Sequence, residues 1–125
     1  MQFTYKKQEK LKSKKLIKLL FENGKKITVF PIMLLYLKIE HDSDYLIQAG
    51  VTVSKKNFKN AVDRNRIKRL LRETYRLNKP FLYEKLENKY IFMFIYLGKE
   101  ELKYQLLDTK MKELMNRFTH KITEK

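Results

Sequence analysis

Cysteine is absent from the 125 residues, and with it any disulfide, thiolate zinc site or thiol nucleophile. Histidine is scarce: His41 and His120 stand far apart and without ligand spacing, so imidazoles offer no basis for a zinc site. Three glycines and two prolines leave no flexible linker and no low-complexity segment, and no internal repeat is visible. The longest unbroken apolar run, residues 90–97, is far short of the roughly 20 residues that a membrane-spanning helix needs, so no membrane partner is expected. The amino terminus is basic but has no apolar h-region and no small-residue cleavage site, which argues against a secretory signal. These absences fit a cytoplasmic, reducing setting. The length and the 43% hydrophobic content fit one domain over residues 1–125, with 1–10 and 121–125 expected to be loosely ordered.

Positive charge is what the chain has in excess. Lysine and arginine number 29 against 14 acids, a net charge of +15. The excess is concentrated. Residues 1–26 hold nine lysines and two acids, Glu9 and Glu22; residues 55–76 hold nine basic residues and two acids, Asp63 and Glu73. Nearly all the net charge sits in these two blocks, whereas a merely soluble protein would spread it. The pattern points to a bound polyanion.

Hydrophobic periodicity orders the elements. Residues 13–23 read as a helix with Ser13 as cap and Gly24 as stop, apolar at Leu16, Ile17, Leu19, Leu20 and Phe21 and basic at Lys14, Lys15 and Lys18. Residues 26–40 read as two strands broken at Pro31, and 45–54 as a third, expected to pair antiparallel with the second. The third strand alternates Ile47, Ala49, Val51 and Val53 with the small or polar Gln48, Gly50, Thr52 and Ser54, which suggests a sheet with one open face. A helix over 60–77 should stop at Asn78-Lys79-Pro80. Residues 90–97 are apolar on both faces and read as a central strand, and 101–120 as a last helix. The order α-β-β-β-α-β-α gives an α+β fold, a small two-layer sandwich on a four-stranded sheet.

The helix over 60–77 is the most informative element. Arg64, Lys68, Arg72 and Arg76 recur every four residues, about 6 Å apart along the axis, close to the spacing of phosphates along a nucleic-acid strand. Asn65 and Arg69 fall in the same arc, while Ile67, Leu70, Leu71 and Thr74 fall opposite and anchor the helix. Arginine suits the task because its planar fork grips phosphate at two points. Glu73 can neutralise only a little of this charge, and surface ion pairs contribute at most about 1 kcal/mol each. A second feature is the polar sheet face of Gln48, Gly50 and Thr52, with Tyr36, beside Ile17 and Phe21. An open groove with hydroxyls and aromatic rings suits single-stranded RNA.

The run Ala61-Val62-Asp63-Arg64-Asn65-Arg66-Ile67-Lys68-Arg69-Leu70-Leu71-Arg72-Glu73, preceded by Val53-Ser54-Lys55-Lys56, resembles the signature of the bacterial ribonuclease P protein subunit. Length, charge, element order and the lysine-rich first helix agree, and the resemblance covers roughly residues 8–120. It implies a protein that assists a catalytic RNA in removing the 5′ leader from precursor tRNA. The ribonuclease P RNA and precursor tRNA would be its partners, and magnesium the metal of the holoenzyme rather than of the protein alone. It further implies that Arg64, Asn65, Arg66, Lys68, Arg69 and Arg72 face the catalytic RNA. The leader would lie in a cleft lined by Ile17, Phe21, Leu34, Tyr36 and Thr52, with Ser54, Lys55 and Lys56 at one end. Where the family often has an aromatic residue in the first cleft position, this chain has Ile17. The family fold includes a left-handed β-α-β crossover through the basic helix, which general handedness rules would not suggest.

Other readings make different demands. A structural RNA-binding protein of ribosomal type would share the charge but would not need the groove. A DNA-reading module would need a helix-turn-helix partner just before 60–77, where only a strand and loop are expected, so DNA is not an expected partner. A protein nuclease would need paired acid–base groups or clustered carboxylates. Asp42 with Asp44, Glu84 with Glu87 and Glu100 with Glu101 read as turns or solvated faces, and Asp63 and Glu73 lie about 15 Å apart along one helix. No catalytic side chain and no metal site are therefore expected on the protein.

Overall fold

The computed structural model of the chain describes residues 5–123. Residues 1–4 and 124–125, part of the termini expected to be loosely ordered, lie outside the described residues. A single 3-10 turn, Lys7–Glu9, precedes α1 (Lys14–Asn23), β1 (Lys25–Val29), β2 (Ile32–Lys38), β3 (Ile47–Val53), α2 (Ala61–Tyr83), β4 (Tyr90–Tyr96) and α3 (Tyr104–Thr123). The strands form one sheet in the order β1-β2-β4-β3. No described helix is long and apolar enough to cross a membrane.

Local chemistry sets the helix ends. The Ser13 hydroxyl accepts from the Leu16 N–H at 3.2 Å, and the Asn60 side-chain oxygen accepts from the Val62 N–H at 2.9 Å, each satisfying a donor that the first helical turn leaves open. At the far end of α1 the Gly24 N–H donates to the Leu20 carbonyl at 2.8 Å. A Cβ on Gly24 would stand 2.4 Å from that same oxygen, so only glycine permits this exit. Helix α2 does not stop before Pro80 as expected but runs on to Tyr83. Pro80 removes one ladder donor. Against this, Leu82 is fully buried in the core and Lys79 is buried against Glu9.

The strand order departs from expectation at one point. Strands β2 and β3 do not pair; β4 lies between them, antiparallel to β2 and parallel to β3. The central place goes to the strand apolar on both faces, which gains most from being covered twice. Strand β3, with its small polar face, is left at an edge. Helix α2 is the crossover that joins the parallel pair.

Alternate residues then face opposite layers. Ile32, Leu34, Tyr36, Ala49, Phe92, Phe94 and Tyr96 pack against Ile67, Leu71 and Tyr75 of α2 and Leu107, Met111, Leu114 and Phe118 of α3. On the other face Leu35, Ile91 and Met93 pack with Leu20 of α1 and with Leu11. The two layers of sheet and paired helices thus gain a partial third layer, α1, which leaves the β3 end of its face open. The amino-terminal segment is not loosely held from Tyr5 onward. Lys10 bridges to Ala49 on the outer edge of β3, and the Leu11 N–H donates to the Ala49 carbonyl at 3.0 Å. At the other terminus, residues 121–123 belong to α3.

Candidate nucleic-acid interface

The buried stripe of Ile67, Leu71, Thr74 and Tyr75 turns the opposite arc of α2 outward. Arg69 and Arg72 are exposed there and Lys68 half-exposed, and among the described residues no carboxylate pairs with any of the three. Asn65 is exposed beside them. The ends of the arc are engaged. One guanidinium nitrogen of Arg64 donates to the carbonyls of Phe58 at 2.7 Å and Lys59 at 2.9 Å, fastening the loop that leads into the helix. Arg76 pairs with Glu73, and its hydrogen bond holds the Glu73 carboxyl below its ordinary pKa. Arg66 points to the side, 3.2 Å from Glu101 and 3.6 Å from Asp63. The centre of the arc is therefore a concentrated, unneutralised cationic surface.

Beside it runs a groove of about 410 Å³. One wall is Ile17 and Phe21 of α1, a helical turn apart; the other is Gly50 and Thr52 of β3, and Met93 of β4 forms the floor. Phe21 is 54% exposed, so a large part of its ring is open to a stacking partner. Gly50 keeps the floor low: a Cβ there would come within 3.1 Å of the Met93 methyl. Lys10 and Lys12 rim one end, and Arg72 reaches the groove from α2. Ser54, Lys55 and Lys56, all exposed, continue from the carboxyl end of β3, with the Ser54 hydroxyl accepting from the Lys56 N–H at 3.1 Å.

Two residues expected in the groove are not there. Leu34 is 1% exposed and Tyr36 6%, and both face the α2–α3 core, where the Tyr36 ring meets Phe118 edge-on at 5.1 Å. The register gives the reason. Tyr36 lies opposite Phe92, and Phe92 beside Ala49, so all three share the core face; the groove face carries Leu35, Met93 and Gly50. Burial raises the Tyr36 hydroxyl pKa, as it does for Tyr90 nearby. Sequence reasoning also missed Met93, Lys10, Lys12 and the position of Arg72 at the groove. The alternation along 90–96 holds the signal for Met93 once β4 is known to neighbour β3.

Among the described residues no three His, Asp or Glu side chains gather where they could hold a metal ion. His41 has a structural place, its Nε2 lying 3.3 and 3.2 Å from the carbonyl oxygens of Leu46 and Tyr90.

A small, strongly basic α+β protein with a cationic helix flanking an open groove is the class that fold and surface define. The chain belongs to the Ribonuclease P family, whose model matches residues 5–119. The ribonuclease P protein component of Porphyromonas gingivalis is 42% identical over 91 residues, covering 72% of this chain and 66% of the relative, just under two thirds of its length. That of Dictyoglomus thermophilum is 35% identical over 85 residues, 68% of each chain. Among solved structures, the RNase P protein from Thermotoga maritima superposes with a TM-score of 0.69 at 24% identity, covering 87% of this chain and 96% of that one. The Staphylococcus aureus protein gives 0.67 at 18%, covering 87% and 94%. At these identities the structural likeness speaks for the fold, and it agrees with the α+β architecture expected from the sequence.

Proposed function

We propose that the chain is the protein subunit of ribonuclease P, a cytoplasmic endoribonuclease that removes the 5′ leader of precursor tRNA, and that the chemistry is carried by the partner RNA. The observation that carries this reading is the meeting of two surfaces at Arg72. The cationic arc of α2 and the groove between α1 and β3 share that side chain, so one protein can hold two RNA segments side by side. In this reading Asn65, Lys68, Arg69 and Arg72 face the catalytic RNA, Arg66 flanks them while paired with Glu101 and Asp63, and Arg64 fastens the loop that sets the helix. Ile17, Phe21, Gly50, Thr52 and Met93 receive the single-stranded leader, with Ser54, Lys55 and Lys56 at its exit.

The division of labour follows from the groups available. Lysine and arginine on a rigid helix neutralise phosphates and release their counterions, which favours assembly of a folded polyanion. Phe21 can stack a base, and the Thr52 hydroxyl can bond either base or sugar. Magnesium supplies phosphodiester chemistry when the holoenzyme binds it. The protein's described residues do not form a ligand set for it, so in this reading the RNA holds the metal. Added to a bacterial ribonuclease P RNA, the protein should restore leader removal at low magnesium, and without RNA it should leave precursor tRNA intact. Correct cleavage by RNA-free protein, or no effect on the RNA's reaction, would refute the reading.

A further inference from the structure

An ion pair lies buried in the described chain. Glu9 is fully buried and Lys79 is 3% exposed, and their side chains are in direct contact. Lys79 also sits 5.9 Å from the Tyr83 ring, and Tyr5 meets Tyr75 edge-on at 5.9 Å, so aromatic rings wall the site. Charges are not buried without cost, and two apolar side chains would fill the space with no such desolvation penalty. What a carboxylate does here that an apolar group cannot is bond in two directions. One oxygen takes the Lys6 N–H at 2.7 Å and closes the 3-10 turn; the other meets Lys79 in the last turns of α2.

The rest of the segment is fastened to match. The Tyr5 hydroxyl and the Leu11 N–H both donate to the Ala49 carbonyl. The Gln8 carbonyl accepts from the Ser43 hydroxyl at 2.8 Å and the Gln48 amide at 3.3 Å. With Glu9 and Leu11 turned inward, the alternation of an extended chain turns Lys10 and Lys12 outward, and both line the groove.

We propose that the buried pair of Glu9 and Lys79 is a positioning device that sets residues 5–12 as a rail along the outer edge of β3, presenting Lys10 and Lys12 to the phosphates of the leader. This rests on the groove reading above. Neither Glu9 nor Lys79 touches RNA; they fix the rotation of the segment that does. The pair also ties the rail to α2, so the groove's rim and the cationic helix keep one relative position.

The test uses holoenzyme reconstituted with a bacterial ribonuclease P RNA. The readout is the ratio of affinities for precursor tRNA with a single-stranded leader and for mature tRNA. In the double variant Glu9→Met with Lys79→Met, apolar packing replaces the pair. Its ratio should fall about tenfold, the effect of removing one charge-assisted hydrogen bond, while binding to mature tRNA and to the catalytic RNA is unchanged. Amide exchange at Leu11 should quicken. Lys10→Ala with Lys12→Ala should lower the ratio to the same extent with Leu11 exchange unaltered. Glu9→Gln, which keeps the bond to Lys6, provides the reading if the double variant does not fold, and its ratio should also drop. An unchanged ratio in the folded pair variant or in the lysine variant overturns the inference. A wild-type holoenzyme with no leader preference would refute the groove reading itself.

Discussion

Single side chains of similar chemistry differ here by which face of the sheet they serve. Phe21 and Tyr36 are both aromatic and both suited to stacking, yet one is open and the other sealed. Phe21→Ala removes a ring that the fold barely uses, so melting temperature should hold. Precursor binding should weaken by about 1–3 kcal/mol, the range for a stacked base. Tyr36→Ala should do the reverse in kind, costing about 3–5 kcal/mol of stability through the cavity left beside Phe118, with no selective effect on precursor over mature tRNA. Thermal melts alongside the two affinities separate the cases. Arginines divide in the same way. Arg64 holds two loop carbonyls, so Arg64→Ala should lower stability by about 1–2 kcal/mol. Arg72→Ala should leave stability alone and weaken RNA binding.

At the scale of the element, α2 is the working part. It carries the buried stripe, the cationic arc, one member of the buried ion pair and the link to the groove. Replacing Lys68, Arg69 and Arg72 together by alanine should flatten the salt dependence of RNA affinity. The slope of log K against log salt should drop by about 0.7–0.9 for each phosphate that is no longer neutralised. A slope equal to wild type would exclude this face. Much of α2 is legible in its sequence, because a 3.6-residue period and a run of cations are local features. The same is true of α1, whose cap and stop fall as expected, and of β4, whose continuous apolar run marks it as central. What depends on distant partners is not legible in that way. The phase of Tyr36 with Leu34 is plain along β2, but which face meets α1 depends on β4 lying between β2 and β3. Lys79 looks like a solvated residue near a helix stop until Glu9, 70 positions away, is placed beside it. The continuation of α2 past Pro80 is hidden for the same reason.

Across the whole molecule, tyrosines knit the layers together, and the hydroxyls of Tyr5, Tyr75 and Tyr83 sit where ionisation is disfavoured. Burial pushes Tyr5 and Tyr83 up to about 12 from an ordinary value of 10, and Tyr75, fully buried, well above it. A raised pKa in the folded state means that folding favours the protonated hydroxyl. That contribution is complete below about pH 10 and is lost as pH climbs toward about 12. The protein should therefore unfold cooperatively in that alkaline window, with tyrosinate absorbance rising together with loss of helical circular dichroism. Titration of these hydroxyls with the fold intact would contradict the packing described. Net charge works in the opposite direction at neutral pH: a chain of +15 repels itself, and a bound polyanion would relieve the repulsion.

Strand β3 has its ladder partner, β4, on the far side of the whole α2 crossover. During synthesis, β1, β2, β3 and α2 all leave the ribosome before the strand that joins them into one sheet. Until Tyr90–Tyr96 emerges, the cationic helix has no completed core to lie on, and closing so long a loop must precede any reward from pairing. A chain truncated before residue 90 should remain unfolded by amide exchange and circular dichroism. The nascent polycation is thus open to any polyanion before its fold exists, and with the RNA partner proposed above, order of assembly, with RNA or with itself first, would become a kinetic race decided by how quickly the last third of the chain is made.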